Sequence, residues 1–207
     1  MIIHNIEQRS EAWHQVRCGR VTGTRFKNLV SKETTDSYKD LLTNIACEII
    51  TGKQEESYSN AQMEYGIEME PVARAKYEEL FELKVTEVGF LTPDEDHNYH
   101  EWIGISPDGM LDDNGLLEIK CPLARTHFEY IERNVLPSEY RYQVQGQLFV
   151  SGASYCDFMS FVPGMKPFII RIKPDVDLFL EFERRLDILI VQVLEKINLY
   201  NKYSHDE

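Results

Sequence analysis

The chain has 207 residues, of which 43% are hydrophobic and 28% are charged, with a formal net charge of −13 at pH 7. These proportions are typical of a globular protein with a substantial core, and no apolar run approaches the length of a membrane span. Four scattered cysteines without CxxC spacing, and a start without a basic segment leading into a long apolar one, favour reduced thiols in a cytoplasmic protein.

The charge is distributed unevenly along the chain. Residues 1–32 carry six Lys/Arg against two Asp/Glu, a local charge of +4, whereas residues 52–96 carry four against twelve, a local charge of −8. Because phosphate contacts are short-ranged and screened by salt, a local basic patch matters more to a nucleic-acid site than the net charge does. The acidic composition therefore does not exclude DNA as a partner.

Four helices are predicted in the first part of the chain. Ser10 and Gly19 are typical cap residues for EAWHQVRC, and Thr22 or Thr24 can begin a second helix around TRFKNLV. DSYKDLLTNIACEIITG has the apolar spacing of a third helix. In the fourth, NAQMEYGIEMEPVARAKYEELFE, Pro71 predicts either a kink or the start of a new helical piece. Its apolar positions follow helical spacing: Met63, Ile67, Val72, Tyr77, Leu80 and Phe81.

Strand-like patterns begin at about residue 84. The predicted strands are KVTEVGFL, HEWIGIS, GML, LLEIKCP, YCDFMSFV and PFIIRIK. Helices are expected at ARTHFEYIERN, at SEYRYQVQGQLFVSG, and from Asp175 through the long amphipathic segment that follows. We therefore predict an α+β fold over residues 1–207 as one domain, with a mixed central sheet flanked by helices.

Residues 104–122, GISPDGMLDDNGLLEIKCP, concentrate the chemistry. Glu118 and Lys120 lie two apart on a predicted strand and thus project from one face, while the side chain of Ile119 points into the core and its carbonyl stays available. Together with Asp108 these groups supply the oxygen ligands that Mg²⁺ prefers and a lysine beside them. This set is typical of a metal-dependent nuclease.

The pairing of this hairpin is open at the sequence level. A two-residue Asn114-Gly115 turn pairs Leu111 with Glu118, which would put Asp108 on the opposite face. Two alternatives bring Asp108 inward: a longer loop, or an irregular backbone at Pro107-Asp108-Gly109. The Pro and Gly on either side of Asp108 favour the irregular backbone.

Five stretches in order are more specific than the D-x₉-E-x-K spacing alone. They are WHQVRCGRVTGTRF, YGIEMEPVARAKYEELF, SPDG, EIKCP and YQVQGQLFVSG. Over about residues 11–155 the chain resembles the lambda exonuclease (YqaJ-like) branch of the PD-(D/E)xK nucleases. The resemblance implies a restriction-endonuclease-like fold and a cofactor of Mg²⁺, as two ions, with Mn²⁺ as a substitute.

The resemblance implies roles for particular residues. Asp108, Glu118, the Ile119 carbonyl and an acid on the fourth helix match the family's metal ligands; that acid is Glu70, with Glu68 as its nearest competitor. Lys120 matches the residue that positions or deprotonates the attacking water. Gln143 matches the glutamine that orients lysine or water, and Tyr140 lies one turn before it on the same face.

A 5′-phosphate pocket is implied on the same terms. Arg17 resembles the arginine that grips the phosphate, with Thr24 and Ser106 as hydroxyl donors and Thr22 as an alternative to Thr24.

The function implied is a Mg²⁺-dependent 5′-to-3′ exonuclease that acts on duplex DNA ends. The family also implies a ring-shaped homotrimer, a single-strand annealing partner and phage recombination in the cytoplasm of a bacterial host. Two other hypotheses use the same core. They are a structure- or sequence-specific endonuclease, and a catalytically silent DNA-binding module.

Overall fold

The computed structural model describes residues 1–54 and 61–203. The strands in these ranges are β1 (Ile2–His4), β2 (Val21–Thr22), β3 (Val85–Thr86), β4 (Phe90–Thr92), β5 (Ile103–Gly104), β6 (Gly109–Leu111), β7 (Gly115–Lys120), β8 (Tyr155–Ser160) and β9 (Phe168–Ile172). The α-helices are α1 (Glu11–Arg17), α2 (Phe26–Leu29), α3 (Asp36–Thr51), α4 (Ala61–Phe81), α5 (Ala124–Arg133), α6 (Arg141–Ser151) and α7 (Val176–Lys202). Short 3₁₀ turns, Gly23–Arg25 and Ser138–Tyr140, precede α2 and α6.

The central sheet has five strands in the order β3-β6-β7-β8-β9. The β7–β8 pair is parallel and the other three pairs are antiparallel, so the sheet is mixed. α5 and α6 lie in the connection between β7 and β8, as a parallel crossover requires. The predicted α+β class with a mixed sheet and flanking helices is confirmed.

Two buried clusters cover the two faces of this sheet. On one face Leu116 and Phe158 pack with α6 and α7 residues such as Leu148 and Phe182. On the other face Leu117 and Ile119 pack with α4, through Ala73 and Tyr77 among others. Alternation along β7 therefore directs Glu118 towards the α6 side and the Ile119 side chain towards α4.

The predicted strand KVTEVGFL is divided in the structure. Its first part is β3, in the central sheet, and its second part is β4, which pairs with β1 in a separate two-stranded sheet. The break lies at Gly89, where an added Cβ would stand 2.0 Å from the Ile6 carbonyl oxygen. The N-terminal segment crosses the chain there, a contact between distant residues that no local pattern reveals.

The fourth helix excludes one of the two alternatives at Pro71 and differs from its prediction in the face that it buries. α4 continues through Pro71 without a break, so no new helical piece starts there. The predicted apolar positions Met63, Ile67, Val72, Leu80 and Phe81 are largely exposed, whereas Ala73, Arg74 and Tyr77 are buried. The face of α4 that packs against the sheet is narrow, and Arg74 and Tyr77 on this face have polar partners. Apolar spacing therefore predicted the helix but not the side that it buries.

Most other helix ends follow the expected caps. Ser10 Oγ accepts the Trp13 N–H, Asp175 accepts the Leu178 N–H, and Gly52 ends α3 in the left-handed conformation. The second helix is shorter than predicted, because Gly23–Arg25 form a 3₁₀ turn and Thr22 makes no side-chain cap bond. Within the described ranges, no helix combines the length and apolar character that a membrane crossing needs.

Candidate active site

The β6–β7 hairpin sets Asp108 and Glu118 opposite each other. The paired residues are Leu111 with Gly115 and Gly109 with Leu117, so the same register places residue 108 opposite residue 118. The loop is therefore three residues long, and Asn114, at its end, has φ 65°. The longer loop brings Asp108 to the face that carries Glu118. The irregular backbone at Pro107-Asp108-Gly109, which the flanking Pro and Gly favour, is wrong, because the pairing is regular from Gly109 onwards.

Glu118 is the most constrained carboxylate of the site. It is 1% exposed. Its Oε1 accepts hydrogen bonds from the Lys120 ammonium and from Gln143 Nε2, the latter at 2.5 Å. Its Oε2 accepts one from Gln147 Nε2 at 2.5 Å. Each oxygen is thus oriented by an amide of α6, with Gln143 and Gln147 one turn apart on the same helix face.

Asp108 is fixed through the neighbouring strand. Its Oδ2 accepts the Ile119 N–H at 2.6 Å, and its own N–H donates to the Leu117 carbonyl at 3.1 Å. Burial raises its pKa well above the ordinary value, and the nearby charges of Glu118 and Glu70 raise it further. Lys120 and the Ile119 N–H oppose that rise in pKa only in part. Burial and two neighbouring carboxylates therefore disfavour a negative charge on Asp108, although Lys120 lies nearby.

Glu70, rather than its competitor Glu68, faces this region. Glu70 lines the cleft beside Asp108, whereas Glu68 is exposed. Arg74 donates to Glu70 Oε1 at 2.7 Å, and Arg9 donates to Oε2 at 3.2 Å. Arg74 also donates through Nε to the Asp108 carbonyl at 3.0 Å, so one guanidinium ties α4 to the start of the hairpin.

The predicted metal ligands do not form a closed cage as they stand. Within residues 1–54 and 61–203, no group of three or more His, Cys, Asp or Glu side chains is arranged to hold a metal ion. Glu70 is instead paired with two arginines, Arg9 and Arg74. The donor chemistry nevertheless fits a hard divalent cation, since carboxylate oxygens and the Ile119 carbonyl are the oxygen ligands that such a cation prefers. The metal site stays a prediction.

Lys120 and Tyr140 line the same cleft as Glu70 and Asp108. The cleft has a volume of about 520 Å³. Burial lowers the pKa of Lys120, but the charges of Glu118 and Asp108 outweigh it and the net shift is upward. The lysine is therefore cationic in the absence of a metal. Its Nζ lies 5.4 Å from the centre of the Tyr140 ring, within the range of a cation–π contact.

Arg17 and Ser106 form a second group of predicted residues that the structure brings together. Arg17 donates to Ser106 Oγ and to Thr22 Oγ1, each at 3.2 Å. Thr24 is exposed, and Thr22 takes its expected place beside Arg17, because Thr22 lies in β2 while Thr24 turns outward in the 3₁₀ segment. Thr22 is therefore the hydroxyl that contacts Arg17, and Thr24 as a donor to the phosphate stays a prediction.

The Arg17 guanidinium is prepared for an additional acceptor. It stacks at 3.9 Å over Trp13, and its Nε is buried with no hydrogen-bond partner among the described residues. Burial, and next the charge of Arg25, lower the pKa of Arg17 to about 10, while Glu48 opposes them. Arg17 therefore remains charged at neutral pH, with one buried donor unused, as an anion-binding group would be.

The Arg17 group and the carboxylate group share their supporting elements. Ser106 stands two residues before Asp108, and its hydroxyl also accepts from Trp13 Nε1 at 2.9 Å and donates to the Gly89 carbonyl at 2.9 Å. Gly23 lies against Gln143, whose Cγ would be 3.5 Å from an added Cβ. The residues around Arg17 thus adjoin the helix and the loop that carry the carboxylate site.

Three polar residues of the site were not predicted. Gln147 was missed although it lies four residues after Gln143, a spacing that places it on the same helix face. Gln145, between them, faces away and bonds the Lys173 carbonyl and the Asp175 N–H. Arg74 carried a signal in its position four residues after Glu70, whereas Arg9 carried none.

Comparison with solved structures identifies the fold class. The chain superposes on an alkaline exonuclease, LHK-Exo from Laribacter hongkongensis, with a TM-score of 0.82 and 33% identity, covering 93% of this chain and 97% of that one. LHK-Exo in complex with dAMP gives a TM-score of 0.83 at the same identity and coverage. A phage-related exonuclease from Haemophilus somnus 129PT shares the fold, with a TM-score of 0.67, 14% identity and coverage of 87% and 96%.

Sequence comparison identifies the family. Residues 12–154 match the YqaJ-like viral recombinase domain, and the chain belongs to that family. An uncharacterised protein, R354 of Acanthamoeba polyphaga mimivirus, is 26% identical over 170 residues, or 76% of this chain. The chain spans 29% of the length of that viral relative. The suspected lambda exonuclease-like relationship and the restriction-endonuclease-like fold are confirmed.

Proposed function

We propose that this protein is a metal-dependent deoxyribonuclease that degrades one strand of linear duplex DNA from 5′-phosphorylated ends, in the 5′-to-3′ direction. The observation that carries the proposal is the Glu118 carboxylate, held on both oxygens by Lys120, Gln143 and Gln147 in register with Asp108. Membership of the YqaJ-like family and the likeness to an alkaline exonuclease support the same activity.

The proposed metal ligands are Asp108, Glu118, Glu70 and the Ile119 carbonyl. A divalent ion, Mg²⁺ or in its place Mn²⁺, would supply Lewis-acid activation of water and charge stabilisation at the scissile phosphate. Asp108 and Glu118 present fixed oxygens, because backbone and amide donors set their orientation. Glu70, which Arg9 and Arg74 contact, would be the third carboxylate ligand.

Lys120 acts on the water and the phosphate. Its ammonium contacts Glu118 and stands at the open side of the cleft, where a phosphodiester can approach. An ammonium there stabilises negative charge that develops on phosphate oxygens, and it directs a water by hydrogen bonding. Gln143 shares Oε1 of Glu118 with Lys120 and so fixes the position of the lysine relative to the carboxylate.

The preference for a 5′-phosphate is assigned to Arg17, Ser106 and Thr22. The unused, buried Nε of Arg17 and its stacking on Trp13 support an anion site next to the carboxylates. If the Arg17 group held the 5′-terminal phosphate, the next phosphodiester of that strand would lie at the adjoining carboxylate cleft. Polarity would then follow from which end the pocket accepts, since the carboxylate site itself does not distinguish the two strands.

The biological role proposed is the production of 3′ overhangs for a single-strand annealing protein in phage recombination, in the cytoplasm of a bacterial host. A homotrimeric ring around DNA is part of this proposal, and it reconciles the charge of −13 with DNA binding by a basic interior. Sedimentation should then give three times the chain mass of 24.2 kDa.

The test is nuclease activity on linear and on covalently closed circular duplex DNA, with Mg²⁺ and with EDTA. The proposal expects mononucleotide release from the linear form in Mg²⁺ only. Cutting of the closed circle would favour the endonuclease, and binding of DNA without cleavage in Mg²⁺ or Mn²⁺ would favour the silent module.

A further inference from the structure

Arg9 occupies a backbone position that is unfavourable for arginine. Residues Glu7–Ser10 form a tight turn in which the Glu7 carbonyl accepts the Ser10 N–H at 3.2 Å and the Ser10 hydroxyl at 2.6 Å. Arg9 is the third residue of this turn and has φ 68°. Turns with positive φ at that position normally take glycine or asparagine, because a Cβ makes the left-handed conformation strained.

The neighbouring contacts force this conformation on Arg9. Gln8 donates from its side chain to the Val88 carbonyl at 2.9 Å and to the Pro107 carbonyl at 3.3 Å. Ser10 caps α1 by accepting the Trp13 N–H at 3.2 Å. Both neighbours of Arg9 are therefore anchored, and the backbone between them cannot relax to negative φ without breaking these bonds. Strained residues held in this way are common at functional sites.

The ion pair with Glu70 does not account for an arginine here. Arg9 reaches Glu70 by one hydrogen bond of 3.2 Å, and its side chain is 47% exposed. Exposed pairs of this kind contribute little to stability. Glu70 already has a closer partner in Arg74, at 2.7 Å, which is buried.

The position of Arg9 indicates a ligand. Its side chain lines two clefts that meet at Glu70 and Asp108, one of about 520 Å³ with Lys120 and Tyr140, and one of about 260 Å³ with Gln8 and Glu87. A half-exposed guanidinium at this junction offers most of its donors to whatever enters the cleft. For a chain that acts on DNA, the matching acceptor is a phosphate oxygen.

We propose that Arg9 binds a backbone phosphate of the DNA strand at the mouth of the catalytic cleft, an inference that rests on the proposed function. Phosphate replaces Glu70 as the partner of Arg9, which releases Glu70 Oε2 to accept a different cation. Arg9 is thus a substrate-contacting residue, separate from the Arg17 group that takes the terminal phosphate.

The test measures DNA affinity as a function of salt, in EDTA so that metal-dependent cleavage does not occur. Arg9→Gly removes the guanidinium and places at φ 68° the residue that tolerates it, so the variant should fold. Arg9→Asn is a second variant that also tolerates this conformation. Arg184→Gln is the matched control, because it removes one arginine charge from α7, where Arg184 pairs with Glu181.

One lost phosphate contact reduces the slope of log affinity against log salt by about one, and affinity falls roughly tenfold at 0.1 M salt. We expect this in both Arg9 variants, with an unchanged or higher melting temperature, and no change in Arg184→Gln. If the wild-type protein cleaves DNA but both Arg9 variants keep the wild-type slope of log affinity against log salt, the phosphate contact is rejected and the proposed function stands. If both Arg9 variants show the reduced slope but the wild-type protein does not cleave DNA, the phosphate contact stands and the proposed function is rejected.

Discussion

The Glu118 carboxylate shows how single side chains determine this site. Its two oxygens accept bonds from Lys120, from Gln143 and from Gln147, in a position that is 1% exposed. A carboxylate that is buried in this way keeps its orientation only while its donors remain, because loss of a partner leaves a buried charged oxygen unsatisfied. Gln147 should therefore matter to catalysis although it lies behind Glu118 and away from the cleft.

Gln147→Met preserves the length of the side chain and removes the amide that donates to Glu118 Oε2. We expect kcat to fall about 10- to 100-fold with a small change in KM for DNA, as is typical when an outer partner of a metal ligand is lost. The measurement is steady-state release of nucleotides from linear duplex DNA. Gln145→Met is the control, because that buried amide on the same helix bonds Lys173 and Asp175 and should affect stability rather than kcat.

Arg17→Gln should reduce discrimination between DNA ends. The guanidinium contacts Ser106 and Thr22 and has a buried Nε to spare, so its loss removes charge-assisted bonds to a terminal phosphate. Bonds of this kind contribute about 1.5–3 kcal/mol, or roughly 10- to 150-fold in rate. The ratio of kcat/KM for 5′-phosphate over 5′-hydroxyl ends should fall by that factor. A ratio that stays at the wild-type value would place the phosphate pocket elsewhere.

Only some of the side chains of the site could be predicted, because contacts between them depend on the folded backbone. Glu118, Lys120 and Gln143 could be predicted because strand alternation and an ordered set of motifs identify them. Thr22 and Thr24 lie two residues apart, and only the turn between them decides which one meets Arg17. Arg9 carried no local signal, because only the fold brings it to the cleft beside Glu70, 61 residues away.

Helix α4 shows how an element is held so that it can present Glu70. Seven residues after Glu70, Tyr77 donates from its hydroxyl to Asp157 Oδ2 at 2.6 Å, on β8. Arg171, on β9, donates twice to the same carboxylate, at 2.9 and 2.8 Å. Tyr77 and Asp157 are buried, so this network fixes the position of α4 along the sheet.

Tyr77→Phe should lower the free energy of unfolding by about 1–2 kcal/mol, because one hydrogen bond to a buried carboxylate is lost while Arg171 retains its own. Urea titration at neutral pH measures the change. Tyr142→Phe is the control, since within the described residues the Tyr142 hydroxyl makes no hydrogen bond, and it should leave the midpoint unchanged. An equal loss in the two variants would contradict the role assigned to the network.

Element boundaries were predictable where local signals decide them. Ser10, Gly52 and Asp175 mark helix ends in the sequence and do so in the structure. The Asn114-Gly115 pair did not decide the length of the hairpin loop. A left-handed Asn114 can be the last residue of a three-residue loop or the first residue of a two-residue turn. The buried face of α4 depends on Asp157 and Arg171, which follow it by more than 70 residues.

For the molecule as a whole, the central question is how a chain with a net charge of −13 acts on DNA. Its N-terminal segment supplies the answer that we propose, because Arg9 contacts Glu70 at the carboxylate cleft and Arg17 contacts Ser106, two residues before Asp108. The family and the fold support a DNA exonuclease, and the preference for 5′-phosphorylated ends is the property that our proposal adds.

The most direct measurement of that property uses a linear duplex with one 5′-phosphorylated and one 5′-hydroxyl end, incubated in Mg²⁺ with the wild-type protein and with Lys120→Ala. The account predicts that the wild type releases mononucleotides from the phosphorylated end alone, and that Lys120→Ala binds the duplex but releases none. Equal release from both ends, or undiminished release by Lys120→Ala, would contradict it.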